Sequence, residues 1–364
     1  MDPITHALFA GLSAKVITPH QTKTGNSCRN KDTLIIAAIA GVFPDIDYLS
    51  FWINPLTFIA EWHRSITHSL FMAPIWGIFL TGIILIVVPR LRSSARLVLF
   101  YSIVGIVSHI LLDILTVYGT EIFYPFSDRL ISLATTFVLD PYLTIIIAIT
   151  LLISLNMRSR SVAIIGTALI LVYVTFQWQL KQDAIQIAVN HGANHIETTS
   201  ESFALPQPFS PFHWRVIVRN KNEYSTALLD ISGFSEKLET EHKRNRWLGL
   251  ISAYKSPTDL HWEHYSLFGS DVDQYPLVNE VWRHDDFDLF RQFAVFPILY
   301  GIDETDKETC VWFTDLRFLI STMLPSFRYG MCRDDRDNSW QLHRLRRFTK
   351  NTKQRINPGQ EVSH

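Results

Sequence analysis

At 364 residues the chain has room for two domains, and 33 lysines and arginines against 34 aspartates and glutamates leave a net charge of −1. That balance excludes bulk electrostatic attraction to nucleic acid, and no nucleic-acid partner is expected. Hydrophobic residues make up 48% of the chain, and their long runs fall almost entirely within residues 1–180.

The expected architecture is therefore an α-helical integral membrane domain over 1–180, with about four spanning helices and two short N-terminal helices. A soluble, β-rich α+β domain over 181–340 and a basic, flexible tail over 341–364 follow it. Asp2-Pro3 reads as a helix start, with Asp2 as N-cap and Pro3 in the first turn. No Lys or Arg precedes Lys15, so the N-terminus does not resemble a cleaved signal peptide. A bilayer core needs roughly 20 apolar residues per helix. Segments 4–17 and 33–43 fall short of that and are expected as short or re-entrant helices. Segments 70–88 and 97–117 reach it, 142–156 is shorter but clearly apolar, and 162–180 is a fourth candidate.

Basic residues cluster in loops 18–32 (Lys23, Arg29, Lys31), 89–96 (Arg90, Arg92, Arg96) and 157–161 (Arg158, Arg160). The positive-inside rule puts these loops in the cytoplasm. Loops 45–69 and 118–141, and everything after Leu180, are then expected outside it, at the outer face of the membrane.

Ionisable residues at membrane depth are costly and mark function. His109 and Asp113 are four apart, which puts them on one helix face. Asp45 and Asp47 follow Pro44, and in an extended segment both carboxylates would point the same way. His63 and His68 bracket the start of an apolar run, with Arg64 between them as a donor for phosphate or carboxylate. His6 sits on the first segment. The topology drawn from lysines and arginines alone brings all of these to one membrane face. Imidazole and carboxylate are ligands for zinc and similar divalent ions.

In the second half, Trp214, Val216 and Val218 alternate with Arg215, Ile217 and Arg219, the period of a strand. Similar runs recur at 311–313 and 316–320. Cys310 and Cys332 fit either a disulfide in an oxidising compartment or two buried thiols. His261-Trp262-Glu263-His264 reads as ordinary strand or surface content.

The stretches Ile4-Thr5-His6, Phe43-Pro44-Asp45-Ile46-Asp47, His63-Arg64-Ser65-Ile66-Thr67-His68-Ser69 and Ser108-His109-Ile110-Leu111-Leu112-Asp113 resemble those of the YdjM-like family of membrane-bound, metal-dependent hydrolases. Tyr118-Gly119-Thr120 and Tyr124-Pro125-Phe126 are similar too. The resemblance covers roughly residues 1–180; Ser65 stands where many relatives have Gly, and Tyr48 where some have His. It implies a distant likeness to the zinc-dependent phospholipase C and nuclease superfamily.

The leading expectation is a membrane metallohydrolase acting on an ester or phosphoester, with a lipid or lipid-linked substrate. A divalent ion, zinc by preference, is held by His6, Asp45, His68, His109 and Asp113, with His63 or Asp47 completing a second position. Asp47 accepts a proton and Arg64 holds substrate charge. Two rival readings are a structural metal site beneath a binding or assembly domain, and a transporter. The transporter ranks last because 70–88 offers almost no polar residue.

Overall fold

The computed structural model describes residues 1–18, 28–195, 200–233, 251–321, 323–334, 339–346, 349 and 351–356. It divides into two compact units: Met1–Leu49, Trp62–Gln179 and Pro208–Pro211 form the first, and Ser50–Glu61, Leu180–Gln207 and Phe212–His364 the second. Lys23 and the tail beyond residue 356 lie outside the described residues.

The first unit is helical. α1 (Pro3–Ile17) starts where the Asp2 carboxylate accepts hydrogen bonds from the Ile4 and Thr5 backbone amides, with Pro3 in the first turn. α2 (Asn30–Ala40) ends at Gly41, and the chain continues as a 3-10 helix, Phe43–Trp52. A single turn, α3 (Pro55–Thr57), precedes α4 (Ala73–Val87) and α5 (Ala95–Asp113). α6 (Pro141–Asn156) and α7 (Arg160–His195) complete the set, and α7 runs on into the second unit.

One core joins Ile36, Ala37 and Ala40 of α2 to Leu80 and Ile84 of α4 and Val98, Ile106 and Ile110 of α5. A second joins Leu12 of α1 to Leu143 and Ile147 of α6 and Ala163 and Ile170 of α7. The outward faces are apolar as well: Ile78 and Ile86 on α4, Ile145 and Leu152 on α6, and Leu171 and Val172 on α7 are exposed. Helices apolar on both faces suit lipid rather than water. Among the described residues, three stretches are long and apolar enough to cross a membrane: Asn30–Trp52, Pro89–Asp113 and Arg160–His191. Pro55–His68 with Ala73–Val87 makes a fourth if that pair, bent by 78°, is one span.

The span assignment differs from expectation in two places. Segment 33–43 was expected as a short helix, but the 3-10 continuation extends it to span length. Segment 142–156 belongs to a helix of only 16 residues, shorter than a span.

The second unit holds two antiparallel sheets. β1 (Glu201–Pro206), β2 (His213–Asn220), β3 (Glu223–Asp230) and β4 (Glu263–Ser266) form the first, in sequence order. Trp214, Val216 and Val218 share one face of β2 and pack with Leu180, Ala184 and Ala188 of α7, while Arg215 and Ile217 between them are buried as well. Two short helices, α8 (Tyr275–Trp282) and α9 (Asp288–Phe293), lead to the second sheet of β5 (Pro297–Glu304), β6 (Glu308–Asp315), β7 (Tyr329–Asp334), β8 (Trp340–Leu345) and β9 (Lys353–Arg355). Cys310 and Cys332 are directly opposed on β6 and β7 and form a disulfide.

Two expectations are corrected here. Residues 316–320 were expected as a strand, but Leu316–Phe318 is a 3-10 turn, because the Asp315 carboxylate accepts from the Arg317 backbone amide at 2.8 Å. The stretch from residue 341 was expected as a flexible tail. Instead β8 and β9 close the five-stranded sheet, with Leu342, Leu345 and Ile356 buried.

Candidate metal centre

Close helix approach places the first ligands. A Cβ on Gly105 of α5 would lie 2.6 Å from Ala40 Cβ and 2.9 Å from the Gly41 backbone nitrogen, so only glycine lets α5 sit this near the end of α2. One turn further along α5, His109 Nδ1 then reaches the Gly41 carbonyl oxygen at 2.7 Å. A carbonyl only accepts, so Nδ1 carries the hydrogen and the Nε2 lone pair is free. Asp113 follows on the same face.

His68 arrives on the 3-10 turn Ile66–His68. Its Nδ1 lies 2.8 Å from Thr67 Oγ1 and 3.6 Å from Asp47 Oδ2, which leaves Nε2 facing α5. There His68 Nε2 is 3.0 Å from His109 Nε2 and 3.3 Å from Asp113 Oδ2, and His109 Nε2 is 3.2 Å from that same oxygen. Asp45 Oδ1 stands 3.6 Å from His109 Nε2 and 3.9 Å from His68 Nε2. His6, from α1, stacks on the His109 ring with centroids 3.6 Å apart and places Nε2 3.3 Å from Asp113 Oδ1. The ligand atoms of His68, His109 and Asp113 lie within 4.8 Å of one another, and so do those of His6, Asp45 and His109.

These residues fit a divalent ion. Tetrahedral ligands about 2 Å from an ion stand roughly 3.3 Å apart, close to the separations above. His6, His68, His109 and Asp113 are fully buried. Among the described residues, neither ring nitrogen of His6 makes a hydrogen bond, nor does Asp113 Oδ2. Buried polar atoms left unpaired are costly, and a cation among them would take the lone pair of one His6 ring nitrogen together with Asp113 Oδ2.

Asp113 is the hub of the local charge. Besides the histidines, it pairs with the Met1 amino group and with Arg64 Nη2 at 3.1 Å. Arg64 also donates to Thr116 Oγ1 at 2.7 Å. Its backbone takes the left-handed conformation, φ 64°, which a residue with a side chain adopts at some cost. The position is held by its amide donating to Asp47 Oδ2 at 3.1 Å and its carbonyl accepting from Glu121 N at 3.0 Å. Beside it, burial and the charge of Asp128 push the Glu121 carboxyl up to about 7.

The two carboxylates of Phe43-Pro44-Asp45-Ile46-Asp47 part company, contrary to the extended reading. In a 3-10 helix successive residues turn by about 120°, so residues two apart point different ways. Asp45 joins the His68–His109 group, while Asp47 Oδ2 turns to His63 Nδ1 at 3.0 Å. His63 thus stands beside the converging ligands rather than among them. Sequence reasoning missed Gly41, Gly105 and Thr116. The two glycines signal themselves only once α2 and α5 are paired, and Thr116 carries no signal.

The sequence profile of the YdjM inner membrane protein family matches residues 1–184, half of the chain. The chain belongs to this family. It is a membrane protein, and its apolar helices associate with the lipid bilayer. Among curated proteins, it is 27% identical over 146 residues to the "uncharacterized protein YfhP" of Bacillus subtilis (strain 168), a match covering 40% of this chain and 43% of that protein. The chain thus spans less than half the length of that relative. No solved structure matches the chain. Every ligand-type residue of the centre lies within the YdjM match.

Proposed function

We propose that this YdjM-family protein is a membrane-embedded, metal-dependent hydrolase of an ester or phosphoester, with a lipid or lipid-linked molecule as its substrate class. One observation carries the reading: His6, His68, His109 and Asp113, all fully buried, converge with Asp45 while His6 and Asp113 keep unpaired polar atoms. These five residues would hold the ion, zinc by preference. When bound, a divalent ion there supplies Lewis-acid activation of a phosphoryl or carbonyl oxygen.

The other roles fall to neighbouring side chains. Asp47, fixed by His63 Nδ1 and the Arg64 amide, takes a proton at its carboxylate. Arg64 offsets the charge of Asp113 and orients an anionic substrate group. Asp45, the least buried of the five ligands at 13% side-chain exposure, marks the side from which substrate approaches. The reading also places the centre and the second unit outside the cytoplasm. The arginines of 89–96 and 157–161 support that orientation, as does the Cys310–Cys332 bond, since disulfides persist in oxidising compartments.

The test uses purified full-length protein in mild detergent. It should carry a divalent ion and cleave a chromogenic phosphodiester or carboxylic ester. Chelator should abolish cleavage and zinc or manganese restore it. Protein that carries an ion but cleaves neither ester class would remove the hydrolase reading. The complete burial of four ligands favours a second reading, a structural metal site closed by protein ligands. In that case chelation unfolds the helical unit instead of silencing an intact one.

A further inference from the structure

Independently of the metal centre, the second unit contains a groove of about 600 Å³ whose lining includes Arg328, Arg344, Arg346 and Arg355 and, among the described residues, no carboxylate. Arg328 decides its chemistry. The residue is 1% exposed, and only Nη2 is bonded, donating to the Arg346 and Thr349 carbonyl oxygens at 2.8 and 3.0 Å. Nε and Nη1 are buried without a hydrogen-bond partner among the described residues. Among the described residues, the cation otherwise meets the Tyr300 ring, 5.5 Å away. A buried guanidinium with unmet donors and no carboxylate is expensive, and an anion in the groove would meet both deficits.

The neighbouring arginines strengthen the case. Arg344 donates from Nε and Nη2 to Gln354 Oε1, a neutral acceptor, and lies over the Phe51 ring, so its charge is not cancelled. Arg346 and Arg355 are exposed and carry no ion pair among the described residues. Guanidinium forks match the oxygens of phosphate better than any other common anion outside the carboxylates.

The rim is of another kind. Trp52 and Ile53 line the same groove and are 83% and 78% exposed. Trp52 is also the last residue of the apolar stretch Asn30–Trp52. Tryptophan at the end of such a stretch belongs at the headgroup level of a bilayer. Phosphate-binding guanidinium groups beneath an exposed apolar lip suit an amphiphile that carries a phosphate.

We propose that this groove is a binding site for a phosphate group, borne by a lipid headgroup. Arg328 and Arg344 line its wall, Arg346 and Arg355 screen its mouth, and Trp52 and Ile53 contact the first acyl carbons. Free inorganic phosphate shares the recognition chemistry but not the apolar contact.

The experiment titrates full-length protein in detergent with dihexanoyl phosphatidic acid, dihexanoyl phosphatidylcholine and inorganic phosphate, read by isothermal calorimetry. Phosphatidic acid should bind at least about tenfold more tightly than phosphatidylcholine, the gain of one charge-assisted hydrogen bond or more. The exposed pair Arg346→Gln/Arg355→Gln should weaken phosphatidic acid by about tenfold on the same arithmetic, and Arg328→Met should weaken it further. If Arg328→Met fails to fold, the exposed pair decides alone. Trp52→Ala/Ile53→Ala should weaken the lipid and leave inorganic phosphate unchanged. Inorganic phosphate binding as tightly as the lipid, with no effect of the Trp52/Ile53 change, would make the ligand free phosphate and overturn the lipid assignment. No binding of either phosphate compound, or arginine variants that bind like wild type, overturns the site itself.

Discussion

His6 and His109 lie face to face, ring centroids 3.6 Å apart and planes within 14° of parallel, although one sits near the start of α1 and the other near the end of α5. The stack sets both imidazole edges toward Asp113. α1 is too short to count as a span, so its placement depends on contacts of this kind rather than on its own length.

Removing a converging ligand should release the ion. His109→Ala is expected to lower bound divalent metal, measured by elemental mass spectrometry, by about tenfold or more, while circular dichroism keeps its helical signal. His63→Ala, which removes one of the partners of Asp47 and none of the five converging ligands, should retain the metal. Equal loss from both variants would mean that the centre is drawn too narrowly.

The contact at Gly105 should tolerate no side chain. Gly105→Ala would drive a methyl into Ala40 and the Gly41 backbone. Overpacking of this kind costs about 1–3 kcal/mol, and thermal unfolding in detergent should show it. Metal affinity should fall as well, because the displacement pulls His109 from the Gly41 carbonyl. An unchanged melting temperature would refute the tight α2–α5 approach.

Arg64 is bound to Asp113 and Thr116 within the protein, and its loss strands a buried carboxylate. Arg64→Ala should destabilise by about 3 kcal/mol or more. Arg64→Lys should recover part of that, since a point charge can serve Asp113 but cannot fork to Thr116 as well. If Lys restores full stability, the geometry of the fork is unimportant.

Breaking the link between β6 and β7 should weaken the second sheet. The two cysteines are 22 residues apart, and a loop of that length predicts about 3 kcal/mol for Cys332→Ser. In cells, a membrane-impermeant thiol reagent should label a cysteine placed at an exposed position of the second unit, Asp306→Cys, without permeabilisation if the proposed orientation holds. Labelling only after permeabilisation would put the second unit in the cytoplasm.

Glu121 gives a pH signature. Its carboxyl is raised from 4.5 to about 7 in the folded protein, so the folded state holds the proton more tightly than the unfolded one. Its contribution is complete below pH 4.5 and is lost as pH rises toward 7. Glu121→Gln should flatten stability across that window, measured by denaturant unfolding at stepped pH.

The sequence was most legible where one local rule governed. The Asp2-Pro3 cap, the His109/Asp113 spacing and the Trp214–Val216–Val218 alternation needed nothing beyond helix and strand periodicity. Asp45 and Asp47 were harder. Pro44 announces a turn, but a 3-10 turn and an extended strand send neighbouring carboxylates in different directions, and neither leaves a distinct composition. The stacking of His6 on His109 was visible only as a shared membrane face, because ring contact depends on how α1 and α5 pack. The strands after residue 340 were masked by their arginines and lysines, whose charged ends reach outward while Leu342 and Leu345 fill the interior.

The five converging side chains are scattered from His6 to Asp113, on segments that leave the ribosome at quite different times. His68, His109 and Asp113 come together within one helical hairpin, α4 and α5 with the turn before it, whereas His6 and Asp45 are brought in from earlier segments. A newly made chain therefore holds three of the five side chains together as soon as α4 and α5 pair, and the set is complete only once α5 has closed on α1 and α2. The completed set is thus a late product of assembly, present only in chains whose helices have already packed.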